Sequence, residues 1–395
     1  MATNPLEYLD HELNALRDQG LYRRLRVLDD EQKARTSVDH RSVVNLSSNN
    51  YLGLTTHPTL RARARDALER LGVGTGSVRT IAGTMEIHME LERRLAAFKK
   101  TEAAVVFQSG FTANAGTVSS ILGRDDAIVS DELNHASIID GARLSRATIK
   151  VFPHRDVAAA RRILEGLPRG QRRLLITDGV FSMDGDLGPL PGLCDLAEEF
   201  DCIMMVDDAH ASGVFGQHGR GTVDHFGQHG RVHVQVGTLS KAIGALGGYV
   251  AGSKSLVEFL CHRARPFLFS TSHPPSVAAT CIAALDVLES EPALIERLWE
   301  NTRFFKAGLQ SLGFDTGVSE SPITPVIAGE NALAMTLSDR LFEEGVFAQG
   351  IGFPTVPKGR ARVRTIVTAT HTRDELQFAL DAFTKVGTAL GIIGR

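Results

Sequence analysis

The chain has 395 residues, 43% of them hydrophobic, and a net charge of −3, enough for a large core and for a large domain beside a smaller one. It has no basic block, no apolar run near the roughly 18 residues of a membrane span and no signal-like start ("MATNPLEYLDHEL" is polar and acidic), so neither nucleic acid nor a membrane is an expected partner. Cys194, Cys202, Cys261 and Cys281 form no CxxC pair, so neither a disulfide framework nor a metal site is expected, and the chain reads as a cytoplasmic, reduced protein.

Asn4-Pro5 opens a helix in which Leu6, Leu9, Leu13 and Leu16 recur at helical spacing, with Gly20 as its stop. This predicts an amphipathic N-terminal arm, residues 1–45, that packs against the body or a partner subunit. From about residue 40, short apolar runs alternate with helix-length segments: "SVVNLSS", "AAVVFQS", "DAIVSDE", "IKVFPH", "RRLLITDG", "CIMMVDDAH", "VHVQVGT" and "GGYVAG". Such β-branched runs predict an α/β fold with a mostly parallel central sheet covered on both faces. This large domain is expected over residues 46–285. After "FLFSTSHPP" the pattern turns helical, over 276–288 and over 293–312, the second capped by Gly313. "ITPVIAG", "FAQGIGFP" and "ARVRTIVTA" then predict the strands of a small C-terminal α/β domain, residues 286–395.

One local repeat, "FGQHGR" at 215–220 and 226–231, gathers His218, His225, His229 and His233. Glycine-rich flanks, with no acidic or thiolate companion in view, favour an exposed loop over a metal site.

In open parallel sheets, ligands bind beyond the carboxyl ends of the strands. After "AVVF" come Gln108, Ser109, Gly110, Phe111 and Thr112; after "AIVSDE", Asn134 and His135. After "LLIT" come Asp178, Gly179, Val180, Phe181 and Ser182; after "CIMMV", Asp207, Asp208, Ala209 and His210; after "VHVQV", Gly237, Thr238, Ser240 and Lys241. Singly, each has a plain structural reading: a helix cap, a turn, a core histidine. Together, five strand ends of one sheet converge on one crevice.

The ligand follows from the residue types. "QSGFTANAG" offers free backbone N–H groups at a helix start, which suits a phosphate. It is neither GxxxxGK nor GxGxxG, so a P-loop and a dinucleotide fold are not indicated. A strand-end carboxylate suits a protonated ring nitrogen, a histidine lies over an aromatic ring, and a lysine forms a Schiff base with an aldehyde. These needs together describe pyridoxal 5′-phosphate (PLP).

The stretches "NLSSNNYLGL", "GSVRTIAGT", "LNHASIIDG", "TDGVFSMDGD", "VDDAHASGVFG", "GTLSKAIGALGGY", "RPFLFSTS" and "FPTVPKGRARVRTIVTATHT" cover nearly the whole chain from about residue 20. In them the sequence resembles the α-oxoamine synthases among the fold-type I PLP enzymes, with the aspartate-aminotransferase-like architecture that implies. The resemblance implies that Lys241 is the Schiff-base lysine and that Asp207 keeps the pyridine nitrogen protonated. By the same resemblance, His210 partners the phenolic oxygen, Ser182 lies near that oxygen and the substrate carboxylate, and His135 stacks on the ring. Ser109, Gly110, Phe111 and Thr238 match phosphate contacts. Thr271 and Ser272 in "FSTS" match those that a second subunit supplies, which implies a homodimer with shared active sites. Arg364 in "RVRT" matches the clamp on the amino-acid carboxylate, assisted by Asn49. Arg362 would share its strand face, so the choice between the two arginines rests on the family pattern.

The implied activity joins a small amino acid to an acyl-CoA and releases CoA. The first reading is glycine with acetyl-CoA, giving 2-amino-3-oxobutanoate. The alternative is L-alanine with pimeloyl-CoA, with loss of carbon dioxide, giving 8-amino-7-oxononanoate for biotin synthesis; one enzyme doing both is a further option. A PLP aminotransferase is more remote. A distal carboxylate on the acyl chain would want a cation, for which Arg23, Arg24 and Arg26 are candidates, against the plainer reading of surface arginines.

Overall fold

The computed structural model describes residues 4–18, 22, 24–168 and 170–394. The expected helix stop at Gly20 and the candidate Arg23 lie outside the described residues. The helix Tyr8–Asp18 has no buried residue, and Leu9, Leu13 and Leu16 are 39–41% exposed.

Strands β1 (Arg35–Val38) and β2 (Arg41–Asn45) form an antiparallel hairpin. The central sheet holds β3 (Ala103–Phe107), β4 (Ala127–Asp131), β5 (Thr148–Phe152), β6 (Arg173–Asp178), β7 (Ile203–Asp207), β8 (Val234–Thr238) and β9 (Gly248–Gly252), in the order β3-β9-β8-β7-β6-β4-β5. All pairings are parallel except those of β9, which runs antiparallel to β3 and β8. Only residues 239–247 join β8 to β9, fewer than the dozen or so that a parallel crossover needs. "GGYVAG" is thus the reversed strand of a mostly parallel sheet.

The strands are apolar throughout because both faces are covered. In β6, Leu174 and Ile176 join one core cluster with Val105, Met205 and Val236. Leu175 joins another with Val129, Met204 and Val206, as the two-residue period of a strand requires. Helices Gly110–Ile121, Ala136–Ser145 and Lys254–Arg263 cover the first face; Val157–Glu165 and Leu190–Glu199 cover the second.

Strands β10 (Ile323–Gly329), β11 (Val346–Phe347), β12 (Gln349–Ile351) and β13 (Ala361–Ile366) follow the helices Pro275–Ser290 and Ala293–Ser311. Those helices lie within two residues of the expected spans. β10, β13 and β12 form a separate antiparallel sheet. β11 instead pairs in parallel with β2, Val346 opposite Val44 and Phe347 opposite Asn45. The run "SVVNLSS" therefore does not join the central sheet, as its composition suggested. An apolar run fixes burial, not the sheet it enters.

Candidate active site

The strand ends meet as expected. Ser109, Gly110, Phe111, His135, Ser182, Asp207, His210, Thr238 and Lys241 all line one cavity of about 170 Å³. Each position has a local cause. Ser109 caps the helix Gly110–Ile121: its Oγ accepts the Thr112 amide at 3.1 Å, leaving the amides of the first turn without intrahelical acceptors. His135 caps the helix Ala136–Ser145. Asp178 and Asp207 end β6 and β7 and face each other in register.

Lys241 follows β8 in a tight turn. Gly244 there has φ +75°, and a Cβ would lie 2.8 Å from the Thr55 amide nitrogen, so only glycine lets the chain turn so close to residues 54 and 55. The Lys241 amine has no hydrogen-bond or ion-pair partner among the described residues. Burial lowers its pKa to about 8, with Asp207 and Asp178 opposing and Arg364 assisting. Burial likewise pulls His210 well below the usual histidine value, with Lys241 and Arg364 adding to it. The His210 Nδ1 lies 2.8 Å from the Tyr51 hydroxyl. Burial and the neighbouring Asp207 raise the Asp178 carboxyl well above the usual carboxylate range. Asp207 Oδ1 accepts the Ala209 amide at 2.8 Å and its Oδ2 accepts Asn114 Nδ2 at 2.6 Å.

The two arginines of β13 are separated by their partners. Arg362, 1% exposed, donates to Asp184 Oδ1 at 2.6 Å and to the Met183 carbonyl at 2.9 Å. Arg364 donates only to the Ser182 carbonyl at 3.1 Å and has no carboxylate within ion-pair distance among the described residues. It is close enough to act on Lys241, His210 and Tyr51 electrostatically. A buried guanidinium without a counter-ion is suited to an incoming carboxylate.

Other expected positions lie outside this cavity. Asn49 is not among the residues lining it, and its Oδ1 is buried without a partner. Thr271 bridges to Val78 and accepts Gln108 Nε2 at its carbonyl, 2.8 Å away, while Ser272 Oγ donates to the Ser77 carbonyl at 3.2 Å. Arg26 binds Asp39 and Asp339 and stacks on Phe342, and Arg24 approaches Asp39. These contacts occupy both arginines at the surface. Asn114, Ser137 and Tyr51 carry no strand-end signal, yet they hold Asp207, His135 and His210.

The histidine segment differs from expectation in two respects. Phe215, Thr222, Val223 and Gln228 are buried and Thr222–His225 is a short helix, so it is not an exposed loop. An acidic companion exists: Asp224 accepts His229 Nε2 at 2.9 Å and also pairs with Lys100 at 2.8 Å. His225 packs edge-on against Phe215 and Phe226, and His233 Nδ1 accepts the Met204 amide. Among the described residues no group of three or more histidine, cysteine, aspartate or glutamate side chains is arranged to hold a metal ion.

The residues present fit PLP. Around one cavity, Lys241 offers an amine without a partner among the described residues, Asp207 a carboxylate fixed by two donors, His135 an imidazole, and the helix Gly110–Ile121 open first-turn amides. Bound there, PLP would be held by Lys241, Asp207, His135, His210, Ser109, Gly110, Phe111 and Thr238.

Comparisons with known proteins agree. A family model described as aminotransferase class I and II matches residues 41–383. The 8-amino-7-oxononanoate synthase of Symbiobacterium thermophilum is 61% identical over 388 residues, 98% of this chain and 99% of that protein. The 8-amino-7-oxononanoate synthase 1 of Bacillus subtilis is 56% identical over 391 residues, 99% of this chain and 100% of that protein. Among solved structures, serine palmitoyltransferase from S. paucimobilis with bound PLP and myriocin superposes with a TM-score of 0.94 at 32% identity, over 99% of this chain and 100% of that one. The 8-amino-7-oxononanoate synthase of Francisella tularensis gives a TM-score of 0.74 at 28% identity, over 88% and 98%. These names match the alternative reading of the sequence; the glycine and acetyl-CoA reading, placed first above, finds no specific support in them. The chain belongs to the class I and II aminotransferase family of fold-type I, PLP-dependent proteins, in its α-oxoamine-synthase-like branch.

Proposed function

We propose that this protein condenses L-alanine with pimeloyl-CoA to give 8-amino-7-oxononanoate, CoA and carbon dioxide. The observation that carries the reading is the 61% identity to a synthase of that name along essentially the full length of both chains. Bound PLP supplies an aldehyde that joins the amino group and a protonated ring that draws electrons from Cα.

The chain's residues do the rest. Arg364 grips the alanine carboxylate and thereby orients the Cα–H bond; Asn49 assists from the loop after β2. Lys241, with its amine near pKa 8, takes the Cα proton at neutral pH. The carbon so freed attacks the thioester carbonyl, the C–S bond breaks, and CoA leaves as the thiol. The carboxylate that Arg364 held then departs as carbon dioxide and a proton replaces it at Cα. Asp207 keeps the ring nitrogen protonated, His210 partners the phenolic oxygen, and His135 donates to the thioester carbonyl.

Thr271 and Ser272 serve the phosphate of a partner subunit in this reading. Ile81, 83% exposed, and Phe269, 70% exposed, would be covered in that homodimer. Residues 46–285 would act as the large PLP-binding domain and 286–395 as the small one. The β2–β11 pairing attaches the end of the arm, residues 1–45, to the small domain. A cytoplasmic location belongs to the same proposal; among the described residues no helix is long and apolar enough to cross a membrane.

A thiol-release assay crossing glycine, alanine and serine with acetyl-, pimeloyl- and palmitoyl-CoA tests the substrates. Alanine with pimeloyl-CoA should give the highest kcat/KM, with one carbon dioxide per CoA. Glycine with acetyl-CoA outrunning it would overturn the assignment. Pyridoxamine phosphate accumulating with alanine alone would favour an aminotransferase instead.

A further inference from the structure

We propose that Asn114 and Ser137 form a buried relay that fixes Asp207 in place and holds His135 as a neutral imidazole with its proton on Nε2, poised to donate. Both are positioning residues. The inference rests on the proposed function only for the groups that His135 and Asp207 meet; the relay belongs to the chain itself.

The proton count follows from what each atom is able to do. An amide NH₂ donates twice and accepts nothing. Asn114 Nδ2 gives one proton to Asp207 Oδ2 at 2.6 Å and the other to Ser137 Oγ at 2.9 Å. Ser137 Oγ therefore accepts here and still has a proton to give; it lies 2.7 Å from His135 Nδ1, and the direction of that contact is set by the backbone. The Ser137 backbone N–H, which only donates, also meets Nδ1 at 3.3 Å. Two donors on Nδ1 exclude a proton there, so the ring is neutral and Nε2 carries the hydrogen. The charged or titratable neighbours are Lys241 and Asp207, which act on the ring, His210, with which it interacts electrostatically, and Asp178, whose Oδ2 accepts the His135 backbone amide at 3.1 Å.

The amide has one orientation. Turned over, its oxygen would face the Asp207 carboxylate, acceptor against acceptor; as it stands, that oxygen has no partner among the described residues. The interhelical distance is also specified. A Cβ on Gly141 would lie 3.0 Å from Ala115 Cα and 3.2 Å from the Asn114 carbonyl oxygen. The absence of a side chain there lets the helix Ala136–Ser145 approach closely enough for Ser137 to reach Asn114.

Full-length holoenzyme labelled with ¹⁵N-histidine reports the tautomer directly through two-bond ¹H–¹⁵N correlations, with His135→Gln assigning the resonance. The wild type should show the Nε2–H form at pH 7. Ser137→Ala should mix the tautomers and lower kcat/KM for acyl-CoA about tenfold with PLP affinity unchanged, and Ser137→Thr should restore both. Asn114→Leu, which removes both donors, should weaken PLP binding about tenfold or more. An Nδ1–H or doubly protonated His135 in the wild type overturns the proposal, as does Ser137→Ala with unaltered tautomer and kcat/KM. Failure of the functional reading would look different: no PLP retained and no CoA released by the wild type.

Discussion

Lys99 and Asp208 form an ion pair at 2.9 Å in which neither side chain is exposed to solvent. Lys99 ends the helix Glu86–Lys99, and Asp208 directly follows Asp207. Burial works against the ammonium, but Asp208 and Tyr249 outweigh it and raise its pKa. Asp208 further accepts the Thr222 amide at 3.1 Å. Removing one partner strands a charge in the interior. Lys99→Ala should therefore cost about 3–5 kcal/mol in denaturant unfolding. Adding Asp208→Asn should cost much less than the sum of the two single changes. The Lys99→Ala protein should also bind PLP more weakly, because Asp207 loses its rigid neighbour.

Only the unprotonated amine of Lys241 attacks an aldehyde. Its pKa near 8, against 10.5 for an ordinary lysine, means that PLP capture by the cofactor-free protein should speed up as pH rises through about 8 and level off above. Arg364→Ala removes one cause of that lowering, so its midpoint should move up. Stopped-flow absorbance across pH 6 to 11 measures both midpoints; a wild-type midpoint at 10.5 would refute the reading.

Arg364 and Arg362 should fail in different ways. Arg364→Ala should raise the KM for alanine by about 10- to 100-fold, the value of a charged hydrogen-bonded contact, with the thermal midpoint little changed. Arg362→Ala leaves Asp184 without its partner and should destabilise the protein by about 3 kcal/mol, the low end for a buried pair because Asp184 is partly exposed. Steady-state kinetics beside thermal unfolding separates the two.

His154 sits between Asp131 at 3.0 Å and Asp186 at 2.8 Å, edge-on to Phe181. Burial alone would lower its pKa, yet the two carboxylates raise it to about 9. A folded value above the unfolded 6.5 stabilises the protein fully below pH 6.5, and the effect fades as pH climbs through about 9. His154→Gln should cost on the order of 1–2 kcal/mol at pH 6, after allowance for solvent screening, and almost nothing at pH 10. Thermal midpoints at the two pH values measure the difference.

The parts of the site visible in the sequence are those that sit where a strand ends. Lys241, Asp207, His210, His135 and Ser109 each follow an apolar run, so one rule about parallel sheets collects them. Asn114 and Ser137 sit inside helices, where an asparagine or serine has many ordinary uses, and only the distance between two helices gives them a role. Arg362 and Arg364 share a face and a residue type; their partners, some 180 residues away at Asp184 and Ser182, distinguish them. Lys99 and Asp208 are likewise joined by tertiary packing across 109 residues. The sheet that β2 enters is also decided far along the chain, by β11.

That last pairing has a consequence in time. A ribosome finishes β2 about 300 residues before β11 exists. At synthesis rates of roughly 5–20 residues per second, β2 waits roughly 15–60 seconds with its outer edge unsatisfied. The central sheet, complete by residue 252, is able to form during that wait. Strand β13 emerges later than all seven strands of that sheet, so the nascent chain is able to assemble the cavity around Lys241 before it acquires Arg364.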